Sequence, residues 1–155
     1  MANAKIAFYK ADGPHATFID KLIAWYTKGP YSHVEFVFQD NDGNWKMCSS
    51  SPRDGKVRCK PHTFDDKSWT YIDIELDDDK LNTIKEFYNS ILGFKYDWAG
   101  ILGFILPTQD RQYRWFCSET VSNALKITGF KPMWYLDPSR VSPNKLYKLL
   151  RDYYN

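Results

Sequence analysis

Two segments far apart in the chain carry residue types able to do covalent chemistry. In the run Trp115-Phe116-Cys117-Ser118-Glu119, an aromatic stretch gives way to apolar residues at Val121, Ala124 and Leu125, the spacing of a helix. That places the Cys117 thiol in the first turn, where unpaired backbone N–H groups and the positive end of the helix dipole favour an anion, here a thiolate. A thiol nucleophile needs a base, a group to orient that base, and donors for the oxyanion of an acyl intermediate. The run Tyr31-Ser32-His33-Val34-Glu35-Phe36-Val37-Phe38 reads as a strand. Residues two apart share a strand face, so His33 and Glu35 project together while Val34 and Phe36 go to the other side. A glutamate beside a histidine can accept its second ring N–H, fix its tautomer and support the imidazolium. A Cys117–His33–Glu35 constellation follows if the strand meets the start of the helix, with the Cys117 backbone N–H as oxyanion donor. This chemistry requires neither a metal nor an organic cofactor.

Other residues offer less. Taken singly, Cys117 also reads as a small buried hydrophobe and His33 as a hydrogen-bonded structural residue. His15 precedes an amphipathic segment and His62 lies in a charged, irregular one, so each is a rival base without a partner pattern. Ser49, Ser50 and Ser51 lack a G-x-S-x-G elbow. Asp77, Asp78 and Asp79 read as a helix start and not as a metal site. Arg53, Lys56, Arg58 and Lys60 read as the solvated edge of a strand.

The elements that must position these groups are legible in order. Ile6 to Tyr9 is a short strand, ended by the turn Asp12-Gly13-Pro14. From His15 to Tyr26, Phe18, Ile19, Leu22, Ile23 and Tyr26 recur at helical spacing, and Gly29-Pro30 stops the helix. The strand Tyr31 to Gln39 turns at Asp40-Asn41-Asp42-Gly43 and returns antiparallel from Asn44 to Ser50. Ser51 to Gly55 is a loop, Lys56 to Cys59 a third strand and Trp69 to Leu76 a fourth, alternating Tyr71, Asp73 and Glu75 against Ile72, Ile74 and Leu76. Asp77 to Asp79 start a helix carrying Leu81, Ile84, Phe87, Tyr88 and Ile91, which Gly93 closes. A short apolar helix from Trp98 to Phe104, a loop from Pro107 to Gln112, the cysteine helix to Thr128, and a helix from Ser142 to Asp152 with Pro143 first complete the chain. Strands and helices in this mixture predict one α+β domain over residues 1–155, a small antiparallel sheet packed against helices.

Lys and Arg total 21 against 19 Asp and Glu, a net charge of +2, which gives no bulk electrostatic case for nucleic acid or an acidic membrane. Aromatic residues are 17% of the chain, heavy enough to furnish both a core and an aromatic-lined cleft. The run Ala99 to Pro107 is too short to span a bilayer, so stable membrane insertion is not expected. No signal-peptide core follows Met1, which points to a cytoplasmic protein at synthesis. Cys48, Cys59 and Cys117 are an odd number without a CxxC pair, which speaks for free thiols in a reducing compartment, with a Cys48–Cys59 bridge left open.

The histidine strand followed, late in the chain, by Trp115-Phe116-Cys117-Ser118-Glu119 resembles the circularly permuted NlpC-type papain-fold cysteine hydrolases, the YiiX-like branch. The loop Ser51 to Arg58 and the run Phe94-Lys95-Tyr96-Asp97-Trp98-Ala99-Gly100 agree with it, and the likeness covers about residues 5 to 130. The resemblance implies a permuted papain-like fold and a thiol hydrolase of amide or thioester-like bonds. Cys117 would be the nucleophile and His33 the base, with Glu35 in the variable third position. Tyr31, Tyr96 and Trp115 would lie at the cleft and bind a peptide, amide or acyl substrate, and the segment Pro107 to Arg114 would form one wall. A peptidase or amidase is the leading expectation. The same fold also hosts thioesterases and lipid acyltransferases, and a non-catalytic binding protein, such as a small phage factor, is a third reading.

Overall fold

A computed structural model describes residues 3–97 and 114–154. The expected helix at Trp98 to Phe104 and the loop at Pro107 to Gln112 lie outside the described residues. The strands are β1 (Ala4–Lys10), β2 (Tyr31–Gln39), β3 (Trp45–Ser51), β4 (Lys56–Pro61), β5 (Trp69–Ile74), β6 (Lys95–Tyr96) and β7 (Arg114–Trp115). The helices are α1 (Phe18–Tyr26), α2 (Asp78–Ile91), α3 (Cys117–Ile127) and α4 (Pro143–Tyr154), with single 3₁₀ turns at Lys131–Met133 and Pro138–Arg140. One sheet, ordered β5-β1-β2-β3-β4-β6-β7, is antiparallel throughout except for its last pair, β6 and β7, which run parallel. The α+β class expected from the sequence is what the chain adopts.

The core follows from strand alternation. Ala4, Ile6 and Phe8 of β1 pair with Phe38, Phe36 and Val34 of β2, all buried on the face covered by α2, α3 and α4. Ile84, Tyr88, Val121, Leu125, Leu146 and Leu150 close that face from the helices. The helices are capped as their sequences dictate. The Asp77 carboxylate accepts the Lys80 N–H (2.8 Å), and Gly93, at φ 83°, takes the left-handed conformation that ends α2. The start of α1 is later than periodicity predicts, because Thr17 and Asp20 form a reciprocal capping box (2.7 and 3.3 Å) that sets the boundary.

Two features bear directly on the site. Between Tyr9 and Lys10 the β1–β2 register shifts, from Tyr9↔His33 to Lys10↔Tyr31, so Ser32 is an extra residue in β2. The bulge turns Tyr31 onto the core face, away from His33. The second feature is a fork. β2 and β3 share a ladder only from Phe36↔Cys48 to Gln39↔Trp45. Beyond it β2 stays with β1 as far as Tyr31, while β3 stays with β4 as far as Ser51. The start of α3 packs at this fork, against both strands.

Asn144 of α4 ties the fork's β2 arm down. Its amide donates to the Tyr31 carbonyl (2.9 Å) and to Thr27 Oγ1 (2.7 Å), and its carbonyl accepts the Tyr31 N–H (2.9 Å). Gly29 is required beside it, since a Cβ there would lie 2.3 Å from Asn144 Cγ and Oδ1. Cys48 and Cys59, opposite one another on β3 and β4, form a disulfide. The expectation of free thiols therefore holds for Cys117 alone.

The apolar stripe that predicts α1 does not face the core. Phe18 and Trp25 are 79% and 76% exposed, and Ile19 and Leu22 are also exposed. The helix instead turns Ala24 and Asp20 inward, and Asp20 accepts the Ser32 hydroxyl (2.8 Å) and meets Arg53 (3.4 Å).

Candidate active site

Cys117 is the first residue of α3, almost fully buried, with Phe116 in extended conformation as the N-cap. The Phe116 N–H donates to Glu119 Oε2 (3.4 Å), and the Thr120 hydroxyl donates to the Cys117 carbonyl (2.8 Å). Ser49 Oγ, on the β3 arm of the fork, lies 3.4 Å from both the Cys117 carbonyl and Thr120 Oγ1. Ser50 donates to the Trp115 carbonyl (2.5 Å), which also accepts the Asp97 N–H (2.9 Å). The helix start is thus fastened to β3 by two consecutive serines that sequence reading set aside for lack of a nucleophile elbow.

On the other arm, His33 Nε2 meets Glu35 Oε1 at 2.5 Å. Glu35 is wholly buried, and the Arg58 guanidinium grips it with both terminal nitrogens (2.6 and 2.7 Å). Arg58 is not on a solvated edge: its side chain is 13% exposed, and its Nε donates to Asp54 (2.7 Å). The edge expectation failed because the Arg58 side chain crosses the fork to Glu35 on β2, a contact between strands that are not neighbours in the sheet. Alternation with Val57 places Arg58 on the face away from the core, but its partner on β2 has no local signal.

The electrostatics follow from these contacts. Burial alone would lower the His33 pKa, but the Glu35 carboxylate and then the Cys117 thiolate overcome it and raise the value to about 9. Burial would likewise raise Glu35, and His33 and Arg58 reverse this, holding it at about 2. With Nε2 engaged by Glu35, the other ring nitrogen, Nδ1, is buried and makes no hydrogen bond of its own. Cys117 and His33, predicted to meet from opposite parts of the chain, are close enough for a Cys117 charge to favour the His33 imidazolium.

The remaining predicted positions separate. Tyr96, buried in β6, pairs in register with Trp115, and its phenol is pushed well above the ordinary value by burial and by the charges of Cys117 and Asp97. Trp115 packs edge-on to Phe87 (5.8 Å). Tyr31 stands apart, in the core against Phe8 and Tyr147, with its hydroxyl on Thr70 (3.1 Å). Tyr88 of α2, readable in the sequence only as a helix core residue, brings a wholly buried phenol whose pKa burial raises, and the charges of Glu35 and Cys117 act on it in the same direction. His62 bonds to the Tyr71 hydroxyl (3.0 Å), and burial lowers its pKa.

A cleft of about 240 Å³ opens on the His33 and Glu35 face, lined among others by Tyr9, Asp20, Arg53 and Trp69. Arg53 lies over the Tyr9 ring at 5.0 Å. Cys117 is not part of this cleft's wall. Among the described residues no group of three or more His, Cys, Asp or Glu could hold a metal ion, and no helix is long and apolar enough to cross a membrane. No family model, curated protein or solved structure matches the chain.

Proposed function

We propose that this protein is a cysteine hydrolase, a peptidase or amidase on a permuted papain-like scaffold. The buried His33–Glu35 pair, with an unpartnered His33 Nδ1 and Cys117 acting on the same ring, carries this reading. His33, as the imidazolium of a thiolate–imidazolium pair, already holds the thiol proton when Cys117 Sγ attacks a carbonyl carbon. The oxyanion is met by the first N–H groups of α3, which have no acceptor within the helix. As the tetrahedral intermediate collapses, the imidazolium gives its proton to the leaving amine, and a thioester to Cys117 remains. A water molecule, deprotonated by His33, then adds to the thioester carbonyl, and the acid and the protonated thiol are released. Glu35 orients the ring and supports its charge without taking the proton.

A second reading, a thioesterase or lipid acyltransferase, draws on α1. Its Asp20 lines the cleft, while Phe18, Ile19, Leu22 and Trp25 stand exposed on its outer side. Intact-mass profiling with peptidyl and long-chain acyl electrophiles separates the two. Selective modification of Cys117 that disappears in His33→Ala, with the fold retained, supports a hydrolase, and the preferred probe assigns the acyl group. Equal labelling of wild type and His33→Ala at about pH 6, below the ordinary thiol pKa, removes both readings.

A further inference from the structure

Arg58 stands on the opposite arm of the fork from the base. It pairs in register with Ser49 on β3, and its guanidinium crosses to Glu35 on β2. We propose that Arg58 is a positioning residue for the Cys117–His33–Glu35 site, fixing the plane of the Glu35 carboxylate and through it the His33 ring. The inference rests on the thiol-hydrolase reading.

Three observations carry it. Glu35 Oε1 serves both His33 and Arg58, while Oε2 has Arg58 as its side-chain partner. A carboxylate held only by an imidazole is free to rotate about its last torsion. A planar two-pronged guanidinium removes that freedom, as a lysine point charge does not. Arg58 is itself held from behind, since its Nε is engaged by Asp54 (2.7 Å). Its backbone is held too, because the next residue, Cys59, is cross-linked to Cys48 on β3. The chain Asp54–Arg58–Glu35–His33 thus runs from the turn after β3 to Nε2, the ring nitrogen opposite the buried Nδ1. It keeps the Nε2 proton on the Glu35 side and leaves Nδ1 for Cys117.

The test is the pH dependence of Cys117 alkylation by iodoacetamide in the full chain, for wild type, Arg58→Gln, Arg58→Lys, Asp54→Asn and His33→Ala, with circular dichroism as the fold check. Arg58→Gln is expected to raise the labelling midpoint by about one unit, which is about ten-fold slower labelling below both midpoints. Arg58→Lys keeps the charge but not the fork, and is expected to recover less than half of that loss. Asp54→Asn is expected to shift the midpoint in the same direction by less. A purely structural role would lower thermal stability and leave the midpoint in place.

Wild-type midpoints in both Arg58 variants, while wild-type labelling still depends on His33, overturn the inference and spare the hydrolase reading. Full recovery by Arg58→Lys also overturns it, because charge alone would then suffice. If Arg58→Gln does not fold, Arg58→Lys and Asp54→Asn decide by the same criteria. Labelling in wild type that does not depend on His33 removes the hydrolase reading instead.

Discussion

Replacing Glu35 with Gln removes the anion on which both His33 and Arg58 depend. A Gln side chain offers one carbonyl oxygen where the carboxylate offers two, so it can accept from one partner only, and its NH₂ group faces the other donor. For His33, the folded value of about 9 against the ordinary 6.5 corresponds to about 3 kcal/mol favouring the imidazolium. Burial, which acts to lower the pKa, is then opposed only by Cys117, so the His33 midpoint in Glu35→Gln is expected at or below its ordinary value. For the fold, the substitution leaves the mostly buried Arg58 charge without its principal partner, a change that costs about 3–5 kcal/mol. At about 2–4 °C per kcal/mol for a chain of this size, the melting temperature is expected to fall by about 6–20 °C. The assay follows the His33 ring-proton chemical shift by NMR across the pH range, assigned by comparison with His33→Ala, alongside Cys117 alkylation. A folded Glu35→Gln protein whose His33 still titrates near the wild-type value would refute the reasoning, since Glu35 would then not be what holds the charge.

In wild type the same pair makes stability depend on pH in two windows. The His33 contribution is present below its unfolded value of 6.5 and is lost as pH rises through about 9. The Glu35 contribution is present above 4.5 and is lost as pH falls through about 2. Urea midpoints should therefore be highest between about pH 5 and 6.5 and decline on both sides, and a midpoint that keeps rising up to about pH 9 contradicts the pairing. The Cys48–Cys59 bridge closes a sequence separation of 11, and replacing both cysteines by serine should cost about 3 kcal/mol, read as a lower urea midpoint. Intact mass after unfolding should show one alkylated thiol without reductant and three with it; three without reductant would exclude the bridge. Asn144→Ala should cost about 2–3 kcal/mol by freeing both backbone groups of Tyr31. Gly29→Ala should be costly alone and add little further cost in an Asn144→Gly background, which removes the Cγ and Oδ1 at 2.3 Å and the Cβ at 2.8 Å; additive costs would place the strain elsewhere.

What the sequence discloses about this fold is what local spacing records. Alternation placed β2 and put His33 and Glu35 on one face, and turn and cap residues marked the Asp40 to Gly43 hairpin, the start of α2 and the start of α4. The site itself depends on three things without a local signature. The bulge at Ser32 breaks the alternation that would carry Tyr31 to the His33 side. Arg58 reaches across the fork to Glu35, 23 residues away in the sequence, a pairing that no local spacing records. The direction of α1 is set by inward contacts of Asp20, against the apolar stripe that made the helix recognisable. Periodicity reports that a helix has an apolar face, and tertiary contacts decide which way that face points.

The fork between β2 and β3 also orders events in time. His33, Glu35 and Arg58 belong to strands made early in synthesis, whereas Cys117 reaches them only when α3 docks. Cys48 and Cys59 stand opposite one another on one hairpin, so they can join as soon as it forms. A free thiol and a disulfide coexist in one small chain because the two bonded cysteines face each other across one hairpin, while Cys117 begins a separate helix.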